Sequence, residues 1–222
     1  MTSALKIDFV SDVSCPWCVI GLTALNKAMQ QVAAEISVDL HFQPFELNPT
    51  MGPEGADVTA YITKKYGISE EQAEANRAAI TQRGAELGFT FSGTNASGGG
   101  RSRIYNTFDA HRLLHWADAQ GQGLQKRLKE ALFKAYFTDG RNPSSREVLL
   151  SLVADVGLDA ARAAEILDSD EYAAEVRERA SYYTGQGIHS VPAIIINDRH
   201  LISGGQPVEV FERALRQVAS QG

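Results

Sequence analysis

Strand patterns in this chain cluster at its two ends, and that distribution constrains the fold more than any other feature. Leu5, Ile7 and Phe9 alternate with Lys6 and Asp8, and Val38, Leu40 and Phe42 alternate with Asp39 and His41. Between them Cys18, Leu22, Leu25, Met29 and Val32 recur at helical spacing, predicting an amphipathic helix to Ala34. A strand, a helix and a strand in so short a span read as a β-α-β crossover with parallel strands. Near the other end, Val191-Pro192-Ala193-Ile194-Ile195-Ile196-Asn197 predicts a strand, Asn197-Asp198-Arg199 a tight turn and His200-Leu201-Ile202-Ser203 its hairpin partner. Pro207 then opens a last helix with Val208, Phe211, Leu215 and Val218 on one face.

The middle is helical in pattern over 57–66, 69–87, 106–119, 124–137, 145–156, 159–167 and 171–185, with Ser69-Glu70-Glu71-Gln72 opening the second run as a capping box. Gln43-Pro44 through Pro49 is expected to leave the sheet, because proline donates no ladder bond in a central strand. Ser92 to Gly100, rich in Gly and Ser, breaks the helical pattern and has the size of a flap on the substrate side, a functionally silent loop being the equal alternative. The expected layout is therefore an α/β domain of βαβ…ββα order from residues 1–48 and 186–222, with 49–185 as an all-helical insertion.

Both cysteines of the chain fall in Ser14-Cys15-Pro16-Trp17-Cys18, between the first strand and the first helix. At a helix start a sulfur meets unpaired backbone N–H groups and the positive end of the dipole, which favour thiolate over thiol. Cys15 is thus the expected nucleophile, ionised and reachable, and Cys18, one turn on, the resolving thiol. Pro16 suits the first helical position, Ser14 is the expected N-cap, and Trp17 is expected beside the sulfurs. Other readings of the pair are half a zinc site, a structural disulfide, or two inert buried thiols. Zinc needs four ligands, and the remaining candidates, His41, His111, His115, His189 and His200, are scattered, so no metal is expected. So short a loop restrains little of the unfolded chain, which argues against a staple. His111 and His115 lie one turn apart without a third ligand at proper spacing and read as structural; His41 reads as a polar strand residue.

The 21 basic and 27 acidic side chains give a net charge of −6, which argues against nucleic acid and against anionic membrane as partners. The first residues run straight into a strand, so no signal peptide is read, and no stretch approaches the ~18 apolar residues of a membrane span. The cytoplasm is the expected compartment, and the oligomeric state stays open, a homodimer included.

With these residues in view, the chain resembles the DsbA-like branch of the thioredoxin superfamily: Cys15-Pro16-Trp17-Cys18 opens a helix after the first strand, and Val191-Pro192 opens the third. Phe45-Glu46-Leu47-Asn48-Pro49, Asn106 to Leu113, Ala135 to Arg141 and Ser203-Gly204-Gly205-Gln206-Pro207 are similar to the FrnE subfamily of cytoplasmic dithiol oxidoreductases. The resemblance implies a thioredoxin-like fold, a cis peptide bond between Val191 and Pro192 opposite the cysteines, and substrate contacts from Pro16, Trp17, Val191 and Pro192. It implies a disulfide-containing protein or a low-molecular-weight thiol as substrate, and no cofactor beyond the dithiol, with glutathione as a candidate co-substrate. Relatives of the same fold, the kappa-class glutathione transferases and 2-hydroxychromene-2-carboxylate isomerases, use a single Ser or Cys at the Cys15 position to activate glutathione. Cys18 argues against that use here. A peptide-binding chaperone with an incidental dithiol is the non-enzymatic alternative. His189 stands where a small residue is expected before Val-Pro.

Overall fold

The computed structural model describes residues 3–52, 54–92, 103–121 and 123–221. Strand β1 (Ser3–Ser11), helix α1 (Pro16–Val32) and strand β2 (Ile36–Pro44) form the expected crossover, with β1 and β2 parallel and Phe9 opposite Phe42. The far end of the chain completes the sheet: β5 (Ala193–Ile196) runs antiparallel beside β1, and β6 (His200–Ser203) beside β5, giving the order β2-β1-β5-β6. As an inner strand, β1 reads as a buried run from Ile7 to Ser11. The alternation visible in the sequence covers only its first half.

Between the halves lie α2 (Val58–Tyr66), α3 (Glu70–Leu87), α4 (Phe108–Ala119), α5 (Leu124–Phe133), α6 (Arg146–Asp155), α7 (Ala160–Leu167) and α8 (Ala173–Gly185); α9 (Val208–Ala219) closes the chain. Side chains that cap helices set several starts: Asp57, Ser145 and Asp159 each accept from a first-turn N–H, and Ser69 with Gln72 forms the expected capping box. Two-residue strands β3 (Ala56–Asp57) and β4 (Arg103–Ile104) pair antiparallel; pieces so short carry no sequence period.

Two expectations are corrected. Gln43 and Pro44 stay in β2, with Pro44 paired opposite Ser11; β2 is an edge and Pro44 its last residue, where a missing N–H costs nothing. The helix expected to run to Phe137 stops at Phe133 and widens into a π turn over Lys134–Thr138, which lets Ala135, Tyr136 and Phe137 all be buried in succession. Of the expected flap, all but Ser92 lies outside the described residues; the Ser92 hydroxyl donates to the Thr138 carbonyl.

One apolar core joins the sheet, α1 and α9 to Phe91, Phe133, Tyr136 and Phe137 from the helical segment. A second lies within the helices, around Leu113, Trp116, Leu128, Leu149, Val153 and Ile166. The open edge of β2 is partly closed by Gln125 of α5, whose amide donates to the Phe42 carbonyl at 3.0 Å and accepts from the Phe42 N–H at 2.8 Å.

Candidate active site

Cys15, rather than Ser14, occupies the N-cap of α1, with φ −94° and ψ 112°. Pro16 at the first helical position is the reason, since a residue preceding proline is driven to extended backbone. The Cys15 carbonyl accepts the first-turn N–H of Cys18 at 3.1 Å, while its sulfur makes no capping bond and lies 3.6 Å from the Val191 carbonyl, in donor geometry. The Val191–Pro192 bond is cis. Two close approaches seat that turn on α1: a Cβ on Gly21 would stand 2.9 Å from Pro192 Cγ, and one on Gly205 would stand 3.1 Å from the Trp17 carbonyl. The glycines are the signature of backbone meeting backbone here.

The sulfurs are less open than a helix-start position suggested. Both thiols are free and buried, Cys15 at 4 % exposure and Cys18 at 0 %. Burial alone would equally suit an inert pair. Cys15, however, lines a cavity of about 680 Å³, together with Ser14, Pro16, the 42 % exposed Trp17, and His189 to Val191. The rest of the lining is largely apolar, from α2 (Val58, Tyr61, Ile62), α3 (Ala73, Ile80) and Phe91, Ile104, Tyr136 and Phe137, with Asn48, Lys65 and Arg77 among its polar members. Access to Cys15 is thus through a pocket of the size that holds small molecules. Pro192 is buried, and His189 is exposed.

Beneath the cysteines lies a cluster of buried ionisable groups. Asp12, 1 % exposed, accepts from Ser14 N–H (3.1 Å), the Thr107 hydroxyl (2.8 Å) and Leu47 N–H (2.6 Å), tying the loop before α1 to the exit of β2 and the start of α4. Burial works to raise its carboxyl, but His111 and these backbone donors outweigh it and hold it below the usual carboxylate value. His111, whose Nε2 stands 3.8 Å from Asp12, is pushed down by burial against the pull of Asp12. Cys18 is pushed well up, by burial first and then by Cys15, while Lys129 and the Asp12 backbone oppose the rise. Lys129 is completely buried, its Nζ 5.0 Å above the Phe133 ring and without a hydrogen-bond partner among the described residues; burial takes its ammonium down to about 8.

Sequence reasoning passed over Asp12 and Lys129. The signal was present on α5, where Gln125, Lys129 and Phe133 form a second stripe beside Leu124, Leu128 and Leu132; a lone lysine between a buried amide and a buried ring is out of place on a solvent face. His111, read as structural, sits against the group that organises the cysteine loop, and His115 packs tilted against Tyr172, ring centroids 5.3 Å apart.

A dithiol at a helix start, faced by a cis-proline turn on a mixed four-stranded sheet, defines a thioredoxin-fold protein. Residues 6–216 match the DSBA-like thioredoxin domain, and the chain belongs to that family of DsbA-like oxidoreductases and isomerases. The probable DsbA oxidoreductase SCO1869 of Streptomyces coelicolor superposes with a TM-score of 0.86 at 31 % identity, covering 98 % of this chain and 91 % of its own. The fold is shared by the cytosolic disulfide reductase DsbM of Pseudomonas aeruginosa, solved with GSH (TM-score 0.65, 19 % identity, 97 % and 99 % covered). It is shared too by 2-hydroxychromene-2-carboxylate isomerase (0.69, 15 %, 97 % of both chains).

Proposed function

We propose that this chain is a thiol-disulfide oxidoreductase in which Cys15 attacks a substrate disulfide and Cys18 resolves the product. The observation that carries the reading is a reduced Cys-x-x-Cys pair with one sulfur at the cavity wall and the other behind it. The Cys15 thiolate forms a bond to one substrate sulfur and expels the other as thiolate. Cys18 then bonds to Cys15, releasing the second half and leaving the enzyme disulfide, so two electrons pass to the substrate. A pair of external thiols, glutathione for instance, returns the enzyme to the dithiol. The direction follows the pair's potential against its compartment, and roughly 30 mV shifts the balance tenfold.

The largely apolar cavity, with the exposed Trp17 in its lining, favours a small disulfide or one inserted residue of a chain over a flat protein surface. A reducing cytoplasm suits a pair that cycles, and no helix among the described residues is long and apolar enough to cross a membrane. The second reading, a glutathione-dependent isomerase or transferase, draws on the isomerase fold and the same cavity. Cys18→Ser separates the two: the oxidoreductase stalls as a mixed disulfide on Cys15, identified by intact-mass spectrometry, whereas a single-thiol enzyme turns over undisturbed. Turnover retained in Cys18→Ser would sink the first reading.

A further inference from the structure

The cavity in front of Cys15 carries a charge bias opposite to that of the whole chain. The protein has 27 acidic and 21 basic side chains. Among the described residues, however, no aspartate or glutamate lines the cavity, and Lys65, Arg77 and His189 do. A carboxylate entering this space meets no like charge, whereas an ammonium finds no opposite one.

The cavity also has two ends, and hydrogen bonds fix which is which. In the last turn of α2, Lys65 Nζ donates to the Leu47 carbonyl at 2.7 Å and to Asn48 Oδ1 at 2.9 Å. The Leu47 N–H donates in turn to Asp12, which also accepts from the N–H of Ser14, next to Cys15. That is the sulfur end. In the first turn of α2, the Thr59 hydroxyl accepts from Arg77 of α3 at 3.0 Å. Six residues of helix put about 9 Å between the two turns. Val58 and Ile62 of α2, with Ala73 and Ile80 of α3, give the cavity apolar walls over that length. The Arg77 side chain is 15 % exposed and is held in place by Thr59 and by Glu74 at 2.8 Å. Those two bonds use two of its five N–H donors, and the other three have no partner among the described residues. Glu74 is 65 % exposed and lies outside the lining, so it competes weakly for the guanidinium.

We propose that the cavity selects a small disulfide whose sulfur is borne on an apolar arm ending in a carboxylate, with Arg77 as the residue that reads the acid. The proposal rests on the oxidoreductase reading above and names its substrate class. The arm lies between α2 and α3, the carboxylate accepts charge-assisted hydrogen bonds from the Arg77 guanidinium, and the disulfide is presented to Cys15. In each turnover the substrate S–S bond breaks and the Cys15–Cys18 bond forms. The two protons and two electrons of the cysteine thiols leave on two molecules of the acid thiol.

The test uses matched disulfides: dithiodihexanoic acid, its uncharged diamide, and the short-armed dithiodiglycolic acid with its own diamide. Single turnovers of reduced enzyme are quenched by alkylation and read by intact mass, each rate being divided by that of free mercaptoethanol with the same disulfide. The long acid is expected to react about 10–100-fold faster than its diamide, the worth of hydrogen bonds to a charged group. The short acid, which cannot span from the sulfur end to Arg77, should show no such preference. Arg77→Met should bring the long acid and its diamide to a common rate. Equal rates for the long pair in wild type overturn the proposal, as does an equal preference in the short pair; neither needs a variant to fold. A preference that survives in Arg77→Met overturns it too, and so does glutathione disulfide reacting as fast as the long acid, since it carries an ammonium on each half. If none of the disulfides converts the pair to the Cys15–Cys18 disulfide, the oxidoreductase reading itself fails and takes this proposal with it.

Discussion

Lys129 carries a stability consequence. A fall in its ionisation from the ordinary 10.5 to about 8 corresponds to about 3 kcal/mol against the folded state when the amine is protonated. The folded state binds fewer protons than the unfolded one between those values, so the cost is full below about pH 8 and is relieved as pH rises towards the ordinary lysine range. Lys129→Met should therefore melt higher than wild type at neutral pH, with the gap closing in alkali, as followed by circular dichroism. Asp12 has the opposite sign. Its lowered carboxyl stabilises the fold above the ordinary aspartate range, and that contribution is lost as pH falls through the depressed value. Removing it in Asp12→Ala orphans the Ser14 and Leu47 amides and the Thr107 hydroxyl, for an expected loss of about 3–5 kcal/mol in urea unfolding. Cys15 and Cys18 were legible because their spacing and position are local facts of the chain. Asp12 and Lys129 were not, because each acts on residues far away in sequence.

At the scale of elements, α1 is fixed by contact as much as by its cap. Adding a methyl at Gly21 forces Pro192 away from the helix, so Gly21→Ala should destabilise by about 1–3 kcal/mol and slow the attack of Cys15 on a small disulfide, read by stopped-flow absorbance. Strand β2 is held to α4 by His41, whose ring nitrogens stand 3.0 Å from Asp39 and from Asp118. Burial lowers its ionisation, but the two carboxylates outweigh that and raise it overall. The tie is therefore complete below the ordinary value of ~6.5 and is lost as pH rises through the raised one. The melting difference between wild type and His41→Gln should be full below about pH 6.5 and shrink as pH rises above it. Strands, helices and caps could be read from period and turn chemistry. The π turn after Phe133 and the β3–β4 ladder could not, since both arise from packing against distant partners.

Across the whole molecule, the core that runs from the sheet into Phe91, Phe133, Tyr136 and Phe137 makes independent unfolding of the helical segment unfavourable. Trp17 on α1 and Trp116 on α4 report on different parts of the chain, and single-tryptophan variants are expected to share one denaturant midpoint. The α2 helix is the exception. Val58 is its one buried residue, and Lys65 holds it down through the Leu47 carbonyl and the Asn48 side chain. Its amide hydrogens should exchange with deuterium well before those of α1, so that a lightly held piece of this architecture stands guard over its most reactive atom, and the door opens by fraying at a cost far below that of melting the house.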